Sequence, residues 1–180
     1  MGEARIHIVG ASSSGTTTLG GALSERLACL HLDTDTFFWE ATDPPFTTKR
    51  PVEERVALME ARMAGRGSWV ISGSLMSWGE VFIPRFDLVV FLHVPPEIRV
   101  ERLLRRERER YGPAIEPGGA MHEAHLAFVE WARGYDKAGF PGRSLERHRD
   151  WLAAMPCPVL EIAGDPSLDE SVERVLARAG

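Results

Sequence analysis

Apolar residues come along this chain in two rhythms. Short, nearly continuous runs cover Arg5–Val9, Leu30–Leu32, Trp69–Ser72, Asp87–Val94 and Pro158–Ile162. Runs this short, bounded by glycine, proline and aspartate, predict strands. Between them the apolar positions recur every three or four residues, as with Leu19, Leu23 and Leu27. That spacing predicts helices over Thr16–Ala28, Val52–Arg66, Pro95–Tyr111, Met121–Tyr135, Leu145–Ala154 and Leu168–Ala179. The stretch Asp87–Val94 is apolar almost throughout, which predicts a central strand covered on both faces. Strands alternating with helices predict an α/β fold, with a parallel sheet and right-handed crossovers. The stretches around Asp43-Pro44-Pro45, Gly112–Gly119 and Lys137–Arg143 fit no period. They read as hinges of mobile flaps on one domain spanning 1–180, not as linkers between domains.

Composition sharpens this picture in a few places. A chain of 180 residues with 44% hydrophobic residues can bury one full core. The net charge of -5 argues against a nucleic-acid or anionic-membrane partner. No run of about 18 apolar residues predicts a membrane span. The N-terminus enters a strand with no signal-peptide plan, and Ile6 breaks the acylation pattern that Gly2 would open. Cys29 and Cys157 lack metal-ligand spacing and are expected to be buried, reduced thiols of a cytoplasmic protein.

The chemistry concentrates after the first strand. Gly10-Ala11-Ser12-Ser13-Ser14-Gly15-Thr16-Thr17 has the spacing G-x-x-x-x-G-K-[ST] of a phosphate-binding loop, with Thr16 in place of the lysine. Small residues let the backbone curl so that several N–H groups and a helix N-terminus converge on one anion. Gly10 to Thr18 are the expected nucleotide-binding residues, and the Thr17 hydroxyl is placed to meet magnesium. A tight strand-to-helix turn with serine caps is the plainer alternative. At the end of the second strand, Asp33 and Asp35 stand two apart and can face one crevice. One carboxylate could hold magnesium through water, and the other could accept a proton from an attacking hydroxyl. The alternative here is a turn plus a helix N-cap.

Further along, Phe37-Phe38-Trp39 are core or a substrate wall. Two are expected in the core and at least one, Phe38 or Trp39, against a substrate. Lys49 and Arg50 could hold an anionic group, and Gly73 could line an acceptor site. The helix 95–111 carries Arg99, Arg102, Arg106 and Arg110 on one face, with Arg105 and Arg108 beside it. Such a stripe repels itself unless anions lie near. Arg99, Arg108 and Arg110 are expected to be solvated. His122 and His125 are three apart, not the four of the H-E-x-x-H zinc motif. The turn Ala163-Gly164-Asp165-Pro166 is expected to start the last helix with Asp165 or Ser167 as cap.

Taken with their order along the chain, the loop Gly10–Thr18, Leu32-Asp33-Thr34-Asp35, the strand 87–94 and the arginine helix resemble the P-loop small-molecule kinases. Shikimate, gluconate, adenylate and cytidylate kinases belong to that group. The resemblance implies a P-loop sandwich with a five-stranded parallel sheet in order 2-3-1-4-5. It implies a substrate-binding flap over 34–66 and a lid over 105–145. It further implies ATP and magnesium as cofactors, with Thr17 and Asp33 on the metal and Asp35 as base. Arg102, Arg105 and Arg106 are the best matches to the arginines that stabilise the transferring phosphate. The loop is similar to that of archaeal-type cytidylate kinases, which also lack the lysine, although Ser13 replaces a glycine of that form.

The expected activity is transfer of the γ-phosphate of ATP to a small molecule or a nucleoside monophosphate, by a monomer or homodimer. The missing lysine motivates a second possibility, a nucleotide-binding sensor or switch with weak or no catalysis. The paired carboxylates weigh against it, because a pure binder needs no acceptor-side base.

Overall fold

A computed structural model describes residues 3–179. Met1 and Gly2, where an acylation signal was considered, lie outside the described residues. The strands are β1 (Arg5–Gly10), β2 (Leu30–Asp33), β3 (Trp69–Ser72), β4 (Leu88–His93) and β5 (Val159–Ala163). They form one five-stranded parallel sheet in the order β2-β3-β1-β4-β5. The helices are α1 (Thr16–Leu27), α2 (Thr34–Phe38), α3 (Val52–Met63), α4 (Pro96–Tyr111), α5 (His122–Arg133), α6 (Leu145–Ala153) and α7 (Leu168–Ala179).

The period of two in the strands sorts their side chains onto two faces. Ile6, Ile8, Val70, Leu88 and Val90 meet Leu19 and Leu23 of α1 and Val172 and Val175 of α7. Their neighbours Val9, Trp69, Ile71, Val89 and Phe91 meet Phe37, Met59 of α3 and Leu152 of α6. The result is a three-layer sandwich with β1 and β4 buried on both faces. β5 departs from the expectation of an apolar strand: it lies at the sheet edge, and only Ile162 of it is buried.

Most element boundaries fall within two residues of expectation, and the exceptions have local causes. α1 ends one residue early because Ala28 turns left-handed, φ 49°, as its C-cap. α3 stops at Met63, short of Arg66, because Gly65 turns at φ 71°. The helix α2 and the 3-10 turns at Glu80–Arg85 and Gly112–Ile115 have too few residues for a period to show. Cys29 and Cys157 are free but only partly buried, unlike the buried thiols expected.

A buried histidine ties the sheet to the loop after β3. His7 has no exposed surface and lies stacked against Phe86 at 5.0 Å. Its Nε2 donates to the carbonyl of Gly73 at 2.9 Å. Burial pushes its pKa down to about 4, so the ring is neutral at ordinary pH. Because every strand is parallel, all five C-terminal ends open on one edge of the sheet, where the Gly10, Asp33, Gly73 and Gly164 turns gather.

Candidate functional site

The loop between β1 and α1 has the backbone of an anion cradle. A Cβ on Gly10 would come within 2.8 Å of the Leu92 carbonyl. Gly15 lies at φ 95°, left-handed backbone that favours glycine. Ser13 also adopts φ 62°, which explains why a glycine at that position is the usual choice. The hydroxyls of Ser13 and Ser14 are buried with no hydrogen-bond partner among the described residues. Orphaned donors beside an α-helix N-terminus fit an anionic ligand.

Beyond the loop, Thr17 Oγ1 donates to Asp33 Oδ2 at 2.9 Å. Asp33 also caps α2, its Oδ1 accepting from the Asp35 amide at 3.0 Å. The capping alternative holds, and it leaves the other carboxylate oxygen facing Thr17. Asp35 lies in the first turn of α2, not on the strand end. Asp35 is exposed and lines both cavities. Desolvation by the cleft walls pushes its carboxyl pKa up, as does neighbouring Asp33, while Arg143, Arg106 and Arg110 pull it down.

Two cavities open on this edge. The first, about 650 Å³, is bounded by the loop residues Ser13 to Leu19 and by Asp33, Arg102, Arg105 and Arg106. Its apolar wall is Leu92, Val94, Ile162 and Leu168, beside the turn Gly164-Asp165-Pro166. The second, about 500 Å³, is bounded by Gly10 to Ser13, Phe38, Trp39, Lys49, Gly73, Arg143 and the inner face of α5. The two share a wall made of Ser13, Thr16, Thr17, Asp33, Asp35, Phe46, Arg106 and Arg110. A group bound on the loop and a group bound against Phe38 and Trp39 would meet there.

The expected site residues largely converge, with instructive departures. Gly10 to Thr18, Asp33, Asp35, Arg105 and Arg106 bound the first cavity or the second. Phe37 is core at 7% exposed, and both Phe38 and Trp39 face the second cavity. Arg55 lies over the Phe38 ring at 3.9 Å, so that ring serves core and cavity at once. Lys49 lines the second cavity beside Phe38, at 6.0 Å from its ring centre. Arg50 does not line either cavity; its Nη1 donates to the Thr36 and Phe37 carbonyls at the end of α2. Arg102 gives its Nη2 to both oxygens of Asp165, at 2.7 and 2.9 Å. Asp165 is thus a partner of α4 and not the cap of α7. Ser167 supplies that cap, its hydroxyl accepting from the Glu170 amide at 3.3 Å while Glu170 accepts from the Ser167 amide at 2.8 Å.

Of the arginines expected to be solvated, Arg99 is not, whereas Arg110 is exposed as expected but also faces the cleft. Arg99 is 2% exposed, donates to the Val94 carbonyl at 2.9 Å and pairs with Asp136. Arg110 bounds both cavities and lies 4.5 Å over the Phe46 ring. Arg108 is exposed, as expected. Sequence reasoning missed Arg143, which lines the second cavity from a glycine-rich loop with no periodic signal. It also missed Glu107, which is 4% exposed and faces the second cavity. His122 is structural, its Nδ1 against the Ile115 carbonyl at 2.8 Å, while His125 lines the cavity.

The oxygen donors present suit a hard cation. A hydroxyl and a carboxylate side by side match the one or two protein ligands that magnesium takes when phosphate oxygens and water complete its shell. No cluster of three or more acidic, histidine or cysteine ligands forms among the described residues. Among the described residues no helix is long and apolar enough to cross a membrane.

The family model described as an AAA domain matches residues 6–125. The chain is 47% identical over 171 residues to the protein named Uncharacterized protein YqaC of Bacillus subtilis, covering 95% of this chain and 94% of that one. It is 28% identical over 123 residues to a shikimate kinase of Thermosynechococcus vestitus, 61% of this chain and 64% of that enzyme. Among solved structures, a shikimate kinase from Acinetobacter baumannii in complex with shikimate superposes with a TM-score of 0.58 at 16% identity, over 98% of this chain and 92% of that one. A shikimate kinase from Bacteroides thetaiotaomicron gives a TM-score of 0.56 at 18% identity, over 97% of both chains. These likenesses establish the P-loop kinase fold, with its sheet order.

Proposed function

The chain belongs to the AAA domain family and has the P-loop fold of the shikimate kinases, and from that premise we propose that it is an ATP- and magnesium-dependent phosphotransferase acting on a hydroxyl of a small molecule. The observation that carries this is the shared wall of the two cavities, where Thr17, Asp33, Asp35 and Arg106 face both sides. A binding protein for nucleotide alone would need only the first cavity.

ATP occupies the first cavity, its base against Leu92, Ile162 and the Gly164-Asp165-Pro166 turn and its phosphates on the loop amides. Thr17 and Asp33 would hold magnesium, which neutralises phosphate charge when bound. The acceptor lies in the second cavity with one hydroxyl towards Asp35. Asp35 accepts that proton as the acceptor oxygen forms its bond to the γ-phosphorus. The bond from that phosphorus to the bridging oxygen breaks, leaving ADP. Arg106 supplies positive charge at the shared wall, in place of the lysine that Thr16 does not provide. A hydroxyl is favoured over a phosphate as acceptor, because a phosphate dianion has no proton to give Asp35. The segments 34–66 and 105–145 act as flap and lid in this scheme. Tyr111 and Arg110 of α4 already touch Pro45 and Phe46 across the cleft.

Titration calorimetry with ATP, with and without magnesium, tests the nucleotide half. Thr17→Ala is expected to remove most of the magnesium-dependent gain in affinity. Equal magnesium dependence in both proteins would refute the metal assignment. Failure of both to bind ATP at low salt would refute the nucleotide site itself. Tight ATP binding with no transfer to any hydroxyl compound would favour the sensor reading that Thr16 suggests.

A further inference from the structure

We propose that Glu107 reads the acceptor, and that the acceptor is therefore a polyol or an amino alcohol, presenting an O–H or N–H donor to this carboxylate while a hydroxyl meets Asp35. This rests on the phosphotransferase function proposed above and narrows its substrate class.

Glu107 occupies a position where helix packing asks for an apolar residue. Leu103, one turn earlier on α4, is 1% exposed and packs with Val129 and Ala132 of α5. Glu107 continues that stripe and is itself 4% exposed. A buried carboxylate is costly unless donors satisfy it. None of the neighbours does so. The nearest side-chain nitrogens are His125 Nδ1 at 3.7 Å and Arg106 Nη2 at 4.0 Å, both beyond hydrogen-bond distance. No described residue donates a hydrogen bond to its oxygens.

The residues around it are also unsatisfied. His125 Nδ1 and Arg106 Nε are buried without a partner. Orphaned polar groups from two helices thus face one cavity, as expected of a site whose ligand completes the network.

The chemistry of the ligand follows from what a carboxylate can do. It accepts and does not donate, so its partner must carry an O–H or N–H donor. A monohydroxy acid that uses its hydroxyl at Asp35 has no donor left for Glu107; its carboxylate could meet only the cavity's cations, such as Lys49 and Arg143, and Glu107 would stay unsatisfied. Beside Glu107, the rings of Phe128 and Trp131 stack at 5.9 Å and 18° and also line the cavity. They offer an apolar face to the C–H side of a ring-sized polyol or amino sugar.

The test is phosphate transfer from ATP to acceptors of four classes: polyols (myo-inositol, ribitol), amino alcohols (glucosamine, galactosamine), monohydroxy acids (lactate, 4-hydroxybutyrate) and nucleoside monophosphates. ADP release and phosphorylated product are both measured. The best acceptor is expected among the first two classes. Glu107→Gln should raise its KM about 10- to 100-fold, the loss of one buried charge-assisted hydrogen bond, while the KM for ATP stays within twofold. The unchanged ATP constant reports an intact fold. Transfer confined to monohydroxy acids or nucleoside monophosphates overturns the inference and leaves the phosphotransferase function standing. So does an acceptor KM that Glu107→Gln leaves within twofold. No transfer to any class, with ATP still bound, overturns both.

Discussion

Replacing Arg106 by alanine tests whether Arg106 stabilises transfer while Arg102 fastens the nucleotide wall. The two lie four residues apart on α4 but are differently engaged. Arg102 spends its Nη2 on Asp165 at 2.7 and 2.9 Å, with the two side chains 36% and 35% exposed. Ion pairs this exposed contribute about 0–1 kcal/mol. Arg102→Ala should therefore loosen the Gly164-Asp165-Pro166 turn, raise the KM for ATP by about fivefold or less and leave kcat nearly intact. Arg106 has no such partner. Its Nε is buried and unbonded, and its nearest carboxylate oxygen, on Glu107, is 4.0 Å from Nη2. Burial and Arg110 lower its pKa, yet a guanidinium remains charged at neutral pH. Its charge is thus free for the phosphoryl group at the shared wall, where Thr16 brings none. Loss of one preorganised donor to developing charge costs about 10²–10³ in rate, and loss of an arginine on a transferring phosphoryl group about 10³–10⁵. A fall in kcat of about 10³, or about 4 kcal/mol in the barrier, is expected for Arg106→Ala. Steady-state ADP release with saturating acceptor measures both variants. A kcat for Arg106→Ala within tenfold of the native value, or a larger loss for Arg102→Ala, would refute this division of labour.

Asp35→Asn should lower kcat by about 10²–10⁴ with little change in ATP affinity, and loss of ATP binding at an unchanged rate would put Asp35 on the wrong side of the cleft. Because desolvation and Asp33 raise the Asp35 pKa, its base form is lost as pH falls through a value raised from its ordinary one. The acid limb of kcat/KM should lie there, and Arg143→Ala should move it higher, since Arg143 pulls that pKa down. An acid limb that Arg143→Ala leaves in place would contradict the coupling. Thr16→Lys should tighten ATP binding by adding a cation beside the phosphates, as calorimetry would show. If Arg106 already fills that space, turnover falls while binding improves, and unchanged affinity would count against the loop as the phosphate site.

The fold was legible in the sequence because it rests on local signals. A run of apolar residues such as Leu88–His93 can only be a strand covered on both faces, and Leu19 and Leu23 on α1 can only face the sheet. The geometry of the loop after β1 was legible for the same reason: Gly10 and Gly15 set its backbone, which the chain carries within a few residues. Asp33 and Asp35 were found by proximity in sequence, although one caps a helix and the other begins it.

Tertiary structure alone decided how the long-range partners were assigned. The arginine stripe was visible, but nothing within α4 says that Arg99 would pair with Asp136 and Arg102 with Asp165, leaving Arg106 only Glu107 at 4.0 Å. Those outcomes depend on residues more than thirty positions away, brought in by α5 and β5. Arg143 sits in a loop without period, and Glu107 in a helix crowded with exposed charges, so neither carried a mark in one dimension. A charge becomes solvated or functional according to what packs around it, and that surrounding exists only once the chain has closed on itself.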